Sequence, residues 1–277
     1  MKRLREFGHD TLGLARQAEV PEDATLDLFD ETTAALVVAG KRAEVLVHLA
    51  WSVRAPDFRD SPDNARWLDA SIALARNFVS SGGTSIVLAG TCSEYGNGSA
   101  QPLRELDHAA PSDAYGRSKH ALYEYLAREF GDRARISSAR IFYPYGPGEA
   151  HRKLVSALIE EISAGRLPPL REPDRLIDYI FVDDVAEALV RMAERATLDT
   201  VADISGVINV GTGVGVSARE IAAHVARRIR PAMLDAVNDM PHASTPSLPI
   251  IADVTRMHAL LGEWKMTTLE NGLDKML

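Results

Sequence analysis

Cysteine is almost absent from this 277-residue chain: Cys92 stands alone, which excludes an internal disulfide and any site built from several cysteine ligands. Long hydrophobic runs are missing too. The longest, around 45–47 and 85–90, fall far short of the roughly 20 apolar residues that a bilayer span needs. Excess positive charge is lacking, with 31 basic side chains against 39 acidic ones and a formal net charge of −8. A chain so balanced has no polybasic field for phosphate backbones or anionic membranes, so neither nucleic acid nor membrane is expected as a partner. The basic N-terminus, Met1 to Gly8, is followed by no apolar stretch, so a cytoplasmic setting is expected. Internal repeats and low-complexity tracts are also absent, and no group of side chains has metal-ligand spacing.

What is present is an alternation of short apolar runs with longer segments of helical period, the pattern of a mostly parallel α/β sheet. Strands are expected near Thr11–Ala15, Ala24–Leu26, Val45–Ala50, Ser85–Ala89, Ile136–Phe142, Tyr179–Val182 and Val207–Val210. Helices are expected over Asn64–Ser80, ending at Gly82-Gly83, and over Ser112–Phe130 with Ser112 as cap. Two more should open at Ser217 with Glu220 and at Asp184 with Glu187, as capping boxes.

Tyr115 and Lys119 lie four apart on one expected helix and so share a face. The spacing alone is weak evidence, but Thr91 follows an apolar strand at the place where parallel sheets present residues to ligands. A tyrosine titrates near pH 10, so using its anion near neutrality takes a shift of about 4 kcal/mol. A cation about 4 Å away is worth about that much at an effective dielectric of 20. On this reading Thr91 holds a substrate oxygen, Tyr115 moves the proton and Lys119 depresses the phenol pKa. Taken singly, each residue better suits an ordinary role: a surface lysine, a partly buried tyrosine, a strand-end threonine.

Ordered motifs extend over almost the whole chain: Asp27-Leu28, His48-Leu49-Ala50, Gly90 to Gly96 (GTCSEYG), Tyr115 to Lys119 (YGRSK), Arg140 to Gly148 (RIFYPYGPG), Asp178 to Ala186 (DYIFVDDVA), and Asn209-Val210-Gly211. With them the sequence resembles the extended short-chain dehydrogenase/reductase family, the NAD-dependent epimerase/dehydratase group acting on nucleotide sugars. The resemblance implies an α/β fold, a doubly wound Rossmann-type sheet with a smaller C-terminal substrate lobe. Residues 1–147, completed by 177–212, would form the dinucleotide domain, and 148–176 with 213–277 the lobe. It implies Thr91, Tyr115 and Lys119 as catalytic residues. Arg16, Asp27, Leu28, Leu49, Ala50, Tyr115, Lys119 and Phe142 would meet the cofactor, and Thr91, Cys92, Ser93, Tyr143, Lys153 and Arg175 the substrate. A homodimer is implied as well.

Several positions depart from the family pattern. No Gly-x-x-Gly-x-x-Gly turn occurs, and Met1 to Gly8 reads as the tail of the first helix, so the first strand and phosphate turn are expected to be missing. Gly211 to Gly215 imitates such a turn, but its glycine spacing is wrong and Ser217 already caps the next helix. Cys92 and Ser93 stand where family dehydratases carry acidic residues, which argues against dehydration. The cysteine spacing and Lys153 do not suit the family's GDP-fucose-forming epimerase-reductases, which leaves C4 ketoreduction or C4 epimerisation. Arg16 after the second family strand favours NADP over NAD. Ile177 replaces the family's diphosphate-binding arginine, for which Arg175, Arg152 or Lys153 would substitute, and Tyr143 replaces an asparagine. Two alternatives stay open: a reductase of a non-sugar carbonyl, or a truncated, cofactor-deficient member acting as a binding or partner protein.

Overall fold

The computed structural model describes residues 2–6, 8–16, 24–30, 43–53, 57–198, 204–245 and 247–277. It divides into two compact units. The first comprises Met1–Glu94, Ala109–Arg140 and Ala186–Ile208, and the second Tyr95–His108, Ile141–Val185 and Asn209–Leu277.

In the first unit a short helix α1 (Lys2–Glu6) precedes a two-stranded parallel pair, β1 (Leu14–Ala15) and β2 (Ala24–Thr25). Strands β3 (Val45–His48), β4 (Ser85–Thr91), β5 (Arg135–Ile141) and β8 (Gly206–Val210) form a four-stranded sheet in the order β3-β4-β5-β8. Val45 pairs with Ser85 and His48 with Leu88 in the parallel β3–β4 register. Helices α2 (Asp63–Ser80) and α3 (Ala114–Phe130) cover this sheet. Trp67, Ala70, Leu74 and Phe78 of α2, recurring at three and four residues, pack with Leu122, Leu126 and Phe130 of α3 and with Ile86 and Leu88 of β4. The end of α2 is written in its glycines. Gly82 adopts φ +94°, and a Cβ at Gly83 would strike the Phe78 ring, while the Gly83 amide donates to the Phe78 carbonyl at 3.0 Å.

In the second unit β6 (Tyr143–Tyr145), β7 (Ile177–Phe181) and β9 (Gly215–Val216) form a mixed sheet, parallel between β6 and β7 and antiparallel between β7 and β9. Helices α4 (Leu154–Ser163), α6 (Ala218–Ile229), α7 (Leu234–Asn238) and α9 (Leu269–Asp274) contribute to its core of Leu158, Ile162, Phe181, Ile221, Val225 and Leu273. Helix α5 (Val182–Ala196) runs from one unit's sequence into the other's, and α8 (Thr255–Leu261) precedes Gly262.

The local expectations meet three corrections. Helix α3 starts at Ala114 and is capped by Asp113, whose Oδ1 accepts the Gly116 amide at 2.6 Å, while the Ser112 carbonyl is taken by Arg117. Helix α5 begins at Val182, so Asp184 lies inside its first turn. Its carboxylate accepts the Thr267 amide at 2.9 Å and the Trp264 indole at 3.3 Å instead of capping. Strand β1 is confined to Leu14–Ala15, the last two of the five residues expected there. The capping box of Ser217 and Glu220 forms as expected.

Candidate active site

Thr91 ends β4, and the chain turns at once into the 3₁₀ segment Cys92–Tyr95. Glu94 of that segment folds back beneath the strand. Its Oε1 accepts the Thr91 amide at 3.0 Å and its Oε2 accepts Arg140 Nε at 2.8 Å, with His120 Nδ1 at 3.6 Å. Gly90 leaves room for this, since a Cβ there would lie 2.9 Å from Glu94 Oε1 and 2.5 Å from Ser138 Oγ. Burial alone would raise the Glu94 carboxyl pKa. His120, the Arg140 charge and the Thr91 amide outweigh it and hold the group below its ordinary value.

Tyr115 sits in the first turn of α3, and its position is set from the segment before α2. Its amide donates to the Arg59 carbonyl at 2.8 Å, and Asp60 Oδ1 accepts the Ala114 amide at 3.3 Å. Arg59 Nη1 bridges Asp113 Oδ2 at 2.7 Å and Ser93 Oγ at 2.9 Å. The phenol ring stands edge-on to Phe58 at 5.2 Å and to Trp51 at 6.3 Å between centroids. The Thr91 hydroxyl lies near enough to the phenol to pull its pKa down, so Thr91 and Tyr115 are brought together. Thr91 Oγ1 also accepts the Ser93 amide at 3.2 Å.

Lys119, one turn further along α3, is buried and donates to the Ala89 carbonyl at 2.8 Å. Its ammonium lies 4.2 Å from the centre of the Trp51 ring and 5.9 Å from that of Tyr115. This geometry corrects the expected electrostatics. Burial raises the Tyr115 pKa, a charge on Cys92 raises it further, and the nearby Thr91 hydroxyl and Arg59 charge do not reverse the result. Burial instead brings the lysine itself down to about 7, against an opposing pull from Glu94. The phenol is therefore protonated at neutral pH, which suits it to give a proton to a substrate oxygen. His48, at the end of β3, is held neutral, its pKa driven to about 3 by burial and then by the Lys119 charge.

The remaining candidates fall into several environments. In the first unit Arg16 and Asp27 are exposed, and Asp27 Oδ1 accepts the Phe29 amide at 3.0 Å. Leu49 is 58% exposed, Ala50 packs on the core, and Leu28 is a core side chain. Cys92 is buried and Ser93 half-buried beside Thr91. In the second unit Phe142 is fully buried, with its ring 6.3 Å from that of Tyr95. Tyr143 packs 5.8 Å from Tyr179, and Lys153 precedes α4 exposed. Arg175 is already committed: it donates to the carbonyls of Leu248 at 2.9 Å and Asn97 at 3.0 Å and pairs with Glu172 at 3.5 Å. The Gly211 turn holds a carboxylate of the protein. Asp178 accepts the amides of Thr212 at 2.8 Å and Gly213 at 2.9 Å and the Thr212 hydroxyl at 2.6 Å.

Trp51, Phe58, Arg59 and the Glu94–Arg140 pair were not singled out by sequence reasoning. A bulky indole directly after His48-Leu49-Ala50 was a usable signal, and a glutamate just past an apolar strand was another. Nothing local marks Arg59, whose role is tertiary.

Two parallel-sheet strand ends and a helix bearing Tyr and Lys one turn apart define a Rossmann-like α/β oxidoreductase-type fold. The chain belongs to the NAD dependent epimerase/dehydratase family, whose model matches residues 1–211. It is 26% identical to a UDP-glucose 4-epimerase of Mycolicibacterium smegmatis, over 99% of this chain and 91% of that protein. It is 22% identical to the dTDP-4-dehydro-6-deoxyglucose reductase of Escherichia coli, over 87% of this chain and 76% of that protein. Among solved structures, MoeE5 in complex with UDP-glucose and NAD superposes with a TM-score of 0.80 at 26% identity, covering 99% of this chain and 91% of that one.

The first unit has features that fit a dinucleotide at the nicotinamide-ribose end. Lys119 has three ammonium hydrogens with one directed to Ala89, and the buried Nε2 of His48 has no hydrogen-bond partner among the described residues.

Proposed function

We propose that this protein is an NAD(P)-dependent enzyme of nucleotide-activated sugars that carries out C4 ketoreduction or C4 epimerisation with Thr91, Tyr115 and Lys119. The observation that carries this reading is the approach of Thr91, at the end of β4, to the Tyr115 phenol, with Lys119 buried one turn away on the same helix. The activities of the relatives, a 4-epimerase and a 4-keto-sugar reductase, support the position of the reaction on the sugar.

Bound nicotinamide would supply hydride exchange at the sugar carbon. Tyr115 and Lys119 would hold its ribose, and the exposed Arg16 beyond β1 favours a 2′-phosphate and hence NADP. Thr91, its amide pinned by Glu94, orients the reacting sugar oxygen. The protonated phenol of Tyr115 gives its proton to that oxygen when a ketone is reduced and takes it back when an alcohol is oxidised. Trp51 and Phe58 flank the phenol and keep bulk water from its edges.

The test is turnover of UDP- and dTDP-linked hexoses and 4-keto-hexoses with NADH and NADPH, beside simple aldehydes and ketones. Tyr115→Phe is expected to lower kcat by about 10²- to 10⁴-fold, the range of a lost general acid. Equal turnover by parent and Tyr115→Phe, or activity on simple carbonyls alone, refutes the assignment. Calorimetric Kd values for NAD and NADP, in parent and Arg16→Ala, decide the cofactor: the substitution should weaken NADP and leave NAD unchanged.

A further inference from the structure

The lysine of the proposed site does not stand beside the phenol on its own. Trp51 covers it. The indole lies with its centre 4.2 Å from the Lys119 ammonium and meets Tyr115 edge-on at 6.3 Å, so one side chain touches both groups. It is also anchored. Trp51 Nε1 donates to Asn64 Oδ1 at 2.9 Å, and Asn64 is itself 3% exposed, its amide hydrogens directed to the carbonyls of Phe58 at 2.7 Å and Ser61 at 2.9 Å. Behind the indole, Trp67 of the α2 core stacks at 6.2 Å with an interplanar angle of 28°. An asparagine whose side-chain oxygen and both amide hydrogens are used, holding an aromatic ring against a buried cation, is a constructed feature and not incidental packing.

We propose that Trp51, held by Asn64, is a positioning residue of the reaction: its π face supports the charged form of Lys119 and its edge fixes the Tyr115 ring. This rests on the reading of Tyr115 and Lys119 given above. The physical need is clear from the surroundings. Lys119 is buried, and burial penalises its charge. The charged or titratable groups that face it are Glu94 after β4, which favours the ammonium, and the neutral His48 at the end of β3; Tyr115 lies on its own helix. The Ala89 carbonyl supplies one acceptor. An indole face adds attraction for a desolvated cation without adding a group that competes for its protons.

The test follows the ¹³Cε resonance of Lys119 against pH in the ligand-free protein, assigned by its disappearance in Lys119→Met among the six lysines. In Trp51→Leu, which keeps the site apolar and removes the π face, the midpoint should fall by about 0.4 to 1.5 units, the equivalent of a cation–π contact. In Trp51→Phe, which keeps a π face, the fall should be less than half as large. The limb of the kcat profile that reports Lys119 should move with it. A midpoint unchanged or raised in Trp51→Leu, in protein whose circular dichroism and melting remain cooperative, overturns the proposal. So does a Trp51→Phe shift equal to that of Trp51→Leu. If instead Lys119→Met turns over normally, the catalytic reading of Lys119 itself is what fails, and the two failures are told apart.

Discussion

Arg140→Met should be among the most damaging single changes to the first unit, although the residue lies outside the proposed catalytic set. Glu94 is fully buried and Arg140 is 2% exposed, and they meet at 2.8 Å. Removing the guanidinium leaves a carboxylate in the interior with the Thr91 amide and His120 beside it. Breaking one side of such a pair costs about 3–5 kcal/mol. For a chain of this size each kcal/mol moves Tm by roughly 2–4 °C, so a drop on the order of 10 °C is expected at pH 7. The double variant Glu94→Gln/Arg140→Met removes both charges and should recover most of the loss. The pH dependence has a definite sign. The Glu94 carboxyl is held below its ordinary value, so the pair's stabilisation is present above the unfolded carboxyl range and is lost as pH falls through the lower folded value. The difference in Tm between parent and Arg140→Met should therefore be at its full size at pH 7 and shrink as pH falls from about 5 towards about 3, below the ordinary carboxyl range. Thermal melts by circular dichroism across that range measure it. A variant melting within about 2 °C of the parent at pH 7 would refute the reasoning, as would a deficit that does not change with pH.

Three further outcomes are expected. Asp113→Ala should cost about 0.5–2 kcal/mol by uncapping α3, and more than a surface cap would, because Asp113 also receives Arg59; urea midpoints read it. Asp178→Ala removes an acceptor of three amides and a hydroxyl, hydrogen bonds worth about 1.5–3 kcal/mol each to a charged group, and hydrogen exchange should show the Thr212 and Gly213 amides losing protection first. Leu126→Ala, at a fully buried position between α2, α3 and β4, should cost about 2–5 kcal/mol by chemical denaturation, whereas Leu106→Ala, almost wholly exposed, should cost under about 0.5.

The strands and helices around Thr91 and Tyr115 were legible because each is written locally. Trp67 to Phe78 repeat at helical spacing, Gly82-Gly83 stop the helix, and Ser217 with Glu220 carry their own cap. That Tyr115 and Lys119 share a helix face was legible for the same reason, since four residues on a helix fix a face. The electrostatics of the pair were not. Whether Lys119 aims at a phenol, a carbonyl or an indole depends on Trp51 and Ala89, which come from different strand ends, and on burial that no spacing reveals. Asp184 misled in the same way: its place near a helix start looks like a cap until Trp264 and Thr267, some 80 residues on, claim the carboxylate. Arg175 has the charge for a diphosphate, but its donors are spent on carbonyls that only the folded chain brings near.

Burial brings Lys119 down to about 7, far below an ordinary lysine, so near neutral pH its proton is open to exchange with what binds beside it. Any ligand that sets an electron-rich group against the ammonium selects the protonated form and raises the lysine's affinity for its proton. Binding near pH 7 and above then draws protons from solution, and its measured enthalpy will depend on the ionisation heat of the buffer. Affinity for such a ligand weakens as pH rises from about 7 to about 9, without any change in the ligand itself, because part of the binding free energy goes into charging a side chain that burial makes easy to discharge.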